Sequence, residues 1–249
     1  MALAVTIVVL ARGLPPETFF VGDPGVKLVA ARTATNHPRQ PLEIPLPEIG
    51  GERVSFVEPF FELHGDHTHA VTSEIFPVMS APFIALFGIR GAYVLPALGF
   101  LLAIWSCARL ATAINSTASS ATVILTAALG TPFLFYGLEF WEHAPAVGIA
   151  AFATSVLVKS TTTGGIAGHS FTRNVFVGLL YGISILLRPE AAWFFLAVVV
   201  SSRLLASPPR WSAVGVGVAG VALALSPLLV YSVVHFGAIS PPHNETQAD

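Results

Sequence analysis

Arg188 and Glu190 flank Pro189 inside a long and otherwise mostly apolar stretch, Val175 to Ala206. Charged side chains in such a stretch are unfavourable unless they pair with each other or face a wet cavity lined by protein. Proline ends a helix because it lacks a backbone N–H and clashes with the preceding turn. The sequence therefore predicts a functional break between two helices, with a plain loop and a surface ion pair as the alternative.

Groups that exchange protons lie in two other short segments. Asp23 lies in "GDPGVK", just past the first apolar run, and Lys27 follows it by about one helical turn. Glu139, Glu142 and His143 lie together in "GLEFWEH". Simpler explanations exist, because Asp is a good helix N-cap and an acid in a first helical turn is favoured by the helix dipole.

The segment "HGDHTH" places His64, Asp66, His67 and His69 within six residues. On a strand, His67 and His69 share one face, as two ligands of one metal ion would. The order differs from the H-x-H-x-D-H signature of metallo-β-lactamases, and no second group of ligands is evident. We expect a solvated hairpin turn here. The sequence predicts no certain cofactor, and a divalent metal is the one candidate.

Composition indicates what kind of chain must position these groups. Of 249 residues, 54% are hydrophobic and only 10% are charged, whereas about 25% are charged in an ordinary soluble domain. The sequence therefore predicts a polytopic membrane protein. The net charge of −2 and the lack of a Lys/Arg-rich tract argue against nucleic-acid binding. The single cysteine, Cys107, excludes an internal disulfide framework.

The predicted fold class is an all-α polytopic membrane protein with a small α+β external loop domain after the first helix. The loop domain contains a helix in "DPGVKLVAARTA" with Asp23 as its N-cap, two strands around an Ile-Gly-Gly turn, and a hairpin in "FELHGDHTHAV". About seven membrane helices are expected, some of them short. The predicted divisions are 1–14 (first helix), 15–92 (loop domain), 93–236 (helix bundle) and 237–249 (start of an external loop).

The first apolar run, Ala2 to Ala11, is shorter than the roughly 20 residues that a spanning helix needs. It is interpreted as the clipped end of a membrane helix, and the chain as an amino-terminal portion of a longer protein. Six further spans are predicted: Tyr93–Ala108, Ala121–Leu138, Ala144–Val158, Val175–Leu187, Ala191–Ser202 and Trp211–His235.

Charges between the spans predict an orientation. Basic residues flank one set of span ends and acidic residues flank the other. The basic set is Arg109, Lys159, Arg173, Arg203 and Arg210, and the acidic set is Glu139, Glu142 and Glu190. Arg12 is an exception, because it falls on the outer end of the first helix. Because cytoplasmic loops carry an excess of Lys and Arg, the acidic ends and the loop domain are expected on the outer side of the plasma membrane.

Four motifs in this order resemble the polytopic membrane glycosyltransferases of the GT-C superfamily. They are "GDPGVK", "TPFLFYGLEFWEHAPA", "GLLYGISILLRPEAA" and "YSVVHFGAISPPHN". The chain is similar to lipid-linked-sugar transferases such as protein O-mannosyltransferases and lipid A aminoarabinose transferases. Members of the superfamily usually carry further membrane helices and a carboxy-terminal domain, which are not expected within these 249 residues. The resemblance implies transfer of a sugar from a polyprenyl-phosphate carrier to a lipid, glycan or protein acceptor on the outer face.

The resemblance also implies residue roles. Asp23 matches the first-loop acid that acts as catalytic base, and Glu142 matches a second catalytic acid. Arg188 matches the basic position that faces the carrier phosphate, which suits a guanidinium because it binds phosphate bidentately. Glu190 would hold Arg188 or bind polar substrate groups. The other candidate substrate-binding residues are Lys27, Glu139 and His143.

Two other functions remain open. A transporter also places charged residues at broken helices, although no inverted repeat is visible in this sequence. A non-catalytic membrane scaffold would bind a partner through its external loop and would tolerate substitution of Asp23 and Arg188.

Overall fold

The structure is a computed structural model that describes residues 2–14, 19, 22–45, 48–49, 52–53, 60–64, 67–70, 74–115, 117, 119–162, 171–205 and 211–236. Its described part is mostly helical. The elements are α1 (Ala2–Gly13), α2 (Asp23–Asn36), β1 (Ile44–Pro45), β2 (Glu48–Ile49), β3 (Glu52–Arg53), β4 (Phe61–His64), β5 (His67–Ala70), α3 (Ile75–Phe87), a 3₁₀ helix (Gly88–Tyr93), α4 (Val94–Ile114), α5 (Ser120–Leu129), α6 (Phe133–Leu138), α7 (His143–Thr162), α8 (Phe171–Leu187), α9 (Ala191–Leu205) and α10 (Trp211–Phe236).

The chain divides into two compact units. The first, called the amino-terminal unit, contains Met1–Ala97, Leu138–Glu142 and Val230–Asp249. The second, called the helical unit, contains Leu98–Gly137 and His143–Leu229. The short segment that ends at Glu142 and the helix that starts at His143 therefore belong to different units.

Short antiparallel strands confirm the predicted hairpins in the amino-terminal unit. β5 lies between β1 and β4, and His64 pairs with His67 where the β4–β5 hairpin turns. β2 pairs with β3 on either side of the predicted Ile-Gly-Gly turn. Helix α2 packs on the three-stranded sheet because its Val26 and Ala30 form a buried cluster with Ile44 and Ala70.

Helix α2 was predicted correctly, whereas its predicted N-cap was not. The helix forms as predicted, but Gly22 is its N-cap and Asp23 lies in its first turn. Pro24 suits this first turn, where a backbone N–H has no partner within the helix. The prediction that Asp23 is the N-cap is therefore wrong. Its carboxylate contacts other groups instead of capping the helix.

Small residues and hydroxyl groups hold the helical unit together. Ala150 and Ala153 of α7 pack against Val177 and Tyr181 of α8. The Tyr181 hydroxyl lies 2.7 Å from Thr154 Oγ1. Interhelical hydrogen bonds of this kind are common between helices in apolar surroundings, because a polar group there has no water to bond.

The predicted span Ala121–Leu138 is wrong as one helix, because α5 ends at Leu129 and α6 begins at Phe133. The Gly130 N–H closes α5 by donating to the Thr126 carbonyl at 2.8 Å. Pro132 follows at once and has no N–H to continue the helix. The apolar pattern ran across this break and hid it.

The predicted break between two helices at Arg188–Glu190 is confirmed, and its functional role stays a prediction. Helix α8 ends at Leu187 and helix α9 begins at Ala191. The helices have 17 and 15 residues, so each is about 22 to 26 Å long, which is short of a hydrocarbon core of about 30 Å.

Two described stretches are long and apolar enough to cross a membrane. One is Ile75–Ile114, which runs through α3, the 3₁₀ helix and α4, and the other is Ala213–Val234 in α10. The other apolar helices are shorter: Ser120–Leu129, His143–Val158, Phe171–Leu187 and Ala191–Ser201. Seven membrane passes, and the side that each end faces, stay predictions.

Candidate functional site

Lys27 lies at the centre of the first candidate cluster, in the amino-terminal unit. Its ammonium nitrogen is 2.6 Å from Asp23 Oδ2 and 2.7 Å from Glu142 Oε2, and its side chain is only 2% exposed. The four-residue spacing puts Asp23 and Lys27 on one face of α2. A buried ammonium needs such carboxylate partners, since burial removes its hydration. We call Asp23, Lys27, Trp141 and Glu142 the lysine cluster.

Asp23 is the exposed end of the lysine cluster. Its side chain is 39% exposed, whereas that of Glu142 is 7% exposed. The indole Nε1–H of Trp141 donates to Asp23 Oδ2 at 2.9 Å. Lys27 and Trp141 both donate to Oδ2, which holds the carboxylate in one orientation. An incoming hydroxyl group can therefore approach a fixed acceptor oxygen.

A tight turn after α6 positions Trp141 and Glu142. The Trp141 backbone N–H donates to the Glu139 carbonyl at 2.8 Å. Phe140 is fully buried and anchors this turn, because its ring packs against that of Phe76 with 4.9 Å between the ring centroids. Glu139 is itself buried, and the turn fixes its backbone. The aromatic residues around the acids are therefore structural parts of the site.

Arg188 organises the second candidate cluster, in the helical unit. Its Nε donates to Glu190 Oε2 at 3.2 Å, and its Nη2 donates to Oε1 at 2.8 Å. Hydrogen bonding from Arg188 holds the pKa of the Glu190 carboxyl below its usual value. The Glu190 side chain is 65% exposed, so this pair lies at the surface and is exchangeable.

His143 contacts the same guanidinium from the start of α7. Arg188 Nη1 lies 2.7 Å from His143 Nε2 and 3.2 Å from Nδ1. Since a guanidinium only donates, the ring nitrogen that accepts must be unprotonated, and the imidazole is neutral in this arrangement. Tyr136 of α6 stacks on the ring with 4.8 Å between centroids. We call Tyr136, His143, Arg188 and Glu190 the arginine cluster.

The structure brings the predicted residues together in two sets. Asp23, Lys27 and Glu142 meet in the lysine cluster, and His143, Arg188 and Glu190 meet in the arginine cluster. Their assignment to catalysis and substrate binding stays a prediction.

Sequence reasoning did not assign roles to Trp141 and Tyr136. Trp141 directly precedes Glu142, and Tyr136 lies seven positions before His143. Aromatic side chains that carry a polar atom commonly occupy positions of this kind beside a site. That proximity was the available signal, but the partner of each ring is distant in the sequence or lies on another element.

The candidate metal ligands are only partly described. His69 is buried on β5, and His64 and His67 pair at the hairpin, but the side chains of His64 and His67 and all of Asp66 lie outside what the structure describes. Over the residues that it does describe, no group of three or more His, Cys, Asp or Glu side chains is placed to hold a metal ion. The hairpin is confirmed, but His69 is buried and not solvated as predicted, and the metal site stays untested.

Comparisons with known proteins found no family model, no curated protein and no solved structure that matches this chain.

Proposed function

We propose that this chain is a multi-pass membrane glycosyltransferase that moves a sugar from a polyprenyl-phosphate-linked donor to an acceptor hydroxyl. The reaction takes place on the outer face of the plasma (inner) membrane, toward the periplasm or cell exterior. The observation that carries the proposal is the fixed, partly exposed carboxylate of Asp23, paired with buried Lys27. The four motifs that resemble the GT-C superfamily supply the choice of reaction.

Asp23 acts as general base in this proposal. Its carboxylate accepts the proton of the acceptor hydroxyl as the hydroxyl oxygen bonds to C1 of the sugar. The bond between C1 and the phosphate oxygen breaks, and the electron pair leaves with the polyprenyl phosphate. Lys27 and Trp141 orient the base. Glu142 is buried against Lys27, which favours a positioning role in which it fixes the ammonium group.

Arg188 binds the carrier phosphate in this proposal. A phosphate is already a good leaving group, so the site needs a positive charge near it more than a strong general acid. A guanidinium supplies that charge at all relevant pH values and matches two phosphate oxygens at once.

The test uses the purified full chain in lipid nanodiscs with polyprenyl-phosphate donors that carry different sugars. Mass spectrometry follows the release of free polyprenyl phosphate. We expect Asp23→Asn to lower turnover by about 10² to 10⁴-fold while carrier binding persists. Glu52→Gln, on strand β3, is the matched control and should behave as wild type.

The same experiment separates the competing functions. Turnover that Asp23→Asn leaves unchanged would exclude Asp23 as the base, whereas carrier binding without turnover in the wild type would favour a non-catalytic scaffold. A chain that binds no carrier, but moves a solute across vesicles, would be a transporter with its site at the break between α8 and α9.

A further inference from the structure

The contact between Arg188 and His143 gives the arginine cluster an additional property. The guanidinium keeps its charge, and Nη1 faces both ring nitrogens of His143 at 2.7 and 3.2 Å. Protonation of the ring would place N–H against N–H and a second cation beside the first. The contact with Arg188 therefore disfavours a second proton on His143, and an anion that enters between the two cations would favour it.

We infer that the arginine cluster binds a phosphodiester together with a proton, which His143 takes up from solvent as the diester displaces Glu190 from Arg188. A diester between the guanidinium and the ring cancels the repulsion that opposes the second cation. The ring then changes from acceptor to donor and offers the phosphate an additional N–H. This inference rests on the proposed function, because it concerns the phosphate site of that same reaction.

Glu190 is the group that the diester replaces. It occupies Nε and Nη2, which are the two guanidinium donors placed side by side for a bidentate anion. Its side chain is 65% exposed, so it can move into water without loss of hydration. Among the described residues, the titratable groups that interact with His143 include Arg188, Glu190 and Tyr136, and Glu142 precedes it in the chain.

The experiment is isothermal titration calorimetry of the full chain with farnesyl methyl phosphate, a lipid phosphodiester whose charge does not change near neutral pH. Titrations at about pH 7.5, where an unperturbed imidazole is mostly neutral, use two buffers with different ionisation enthalpies. The difference in heat gives the number of protons taken up. We expect uptake approaching about one proton per diester bound by wild type.

Variants assign the proton to its residue. His143→Gln should still bind, more weakly, with no proton uptake. Glu190→Gln should bind up to about five-fold more tightly, the fold-change that corresponds to losing a competing surface ion pair. Arg109→Gln, on α4, is the control for charge and should behave as wild type.

Each failure has a distinct meaning. Binding without proton uptake, uptake that persists in His143→Gln, or weaker binding by Glu190→Gln would overturn this inference and leave the proposed function standing. Absence of binding in wild type would overturn both.

Dimethyl phosphate distinguishes the source of the diester. Equal affinity for it, with the same proton uptake, would support the coupled site but assign it to free phosphate esters, and much weaker affinity would assign it to a lipid headgroup.

Discussion

Lys27 and Glu142 form a buried ion pair, with 2.7 Å between the ammonium nitrogen and Oε2 of the carboxylate. Lys27 belongs to a helix of the loop region, whereas Glu142 ends a short turn much later in the chain. The pair therefore ties two distant segments of the amino-terminal unit together. Because Lys27 also contacts Asp23, the same pair sets the position of the proposed base.

Removing the ammonium group should destabilise the protein strongly. In Lys27→Met the buried carboxylate of Glu142 loses its counter-charge, and we expect a loss of about 3 to 5 kcal/mol in the free energy of unfolding. Denaturant unfolding of the purified chain measures this loss. Arg32→Met is the matched control, because Arg32 lies on the same helix but is exposed, and its effect should stay within about 0.5 kcal/mol. Equal effects of the two substitutions would contradict the buried ion pair.

Trp141 should matter through its indole N–H. Trp141→Phe keeps an aromatic ring but removes the donor that contacts Asp23 Oδ2 at 2.9 Å. We expect a loss of about 1.5 to 3 kcal/mol in stability, as for a hydrogen bond to a charged group, and a decrease in kcat with little change in KM. Unfolding and sugar-transfer assays measure both. Trp105 lies on α4 and its ring is exposed. Trp105→Phe is therefore the control, and it should change neither the stability nor kcat appreciably.

Local signals explain what the sequence predicted correctly. The α2 helix follows from a Pro near its start, and the hairpins follow from short alternating segments joined by turn residues. The spacing of Arg188 and Glu190 around a proline made their ion pair predictable. The four-residue spacing placed Lys27 near Asp23 but did not indicate that Lys27 is buried.

Non-local contacts explain the rest. Nothing in the sequence near Lys27 indicates that Glu142 is its second partner, and nothing near Arg188 indicates His143. These contacts arise when separate elements pack, so composition and periodicity do not encode them in a readable form. The break between α5 and α6 was missed for a different reason, since apolar periodicity outweighed the signal of Pro132.

Glu74 should make stability depend on pH. Burial raises the pKa of its carboxyl from 4.5 to about 7, so the folded state binds the proton more tightly than the unfolded state. The stabilising effect of the protonated group is complete below about pH 4.5 and is lost as pH rises through about 7. Glu74→Gln cannot ionise, and should therefore exceed wild type by roughly 2 to 3 kcal/mol at about pH 8 and equal it at about pH 4.

Glu190 provides the control with the opposite sign. Its carboxyl pKa is lowered by Arg188, so its stabilising effect is present above the unfolded pKa and is lost as pH falls through the folded pKa. Glu190→Gln should therefore be less stable than wild type near neutral pH, with a difference that disappears in acid. Thermal unfolding from about pH 2 to 8 measures both variants, and the same pH trend in the two would rule out the assignment for Glu74.

Gly178 should be essential for the close packing of α8 against α10. A Cβ at Gly178 would lie 2.1 Å from the Gly217 carbonyl oxygen, whereas a Cβ at Gly215 would meet nothing within 4 Å. Gly178→Ala must push the helices apart, and we expect a loss of about 1 to 3 kcal/mol. Gly215→Ala is the matched control in α10. It should be neutral or stabilise the protein by up to about 1 kcal/mol, since alanine has a higher helix propensity than glycine. Unfolding in detergent by graded denaturant compares the two variants directly. Equal stability of both would show that α8 and α10 do not approach each other this closely.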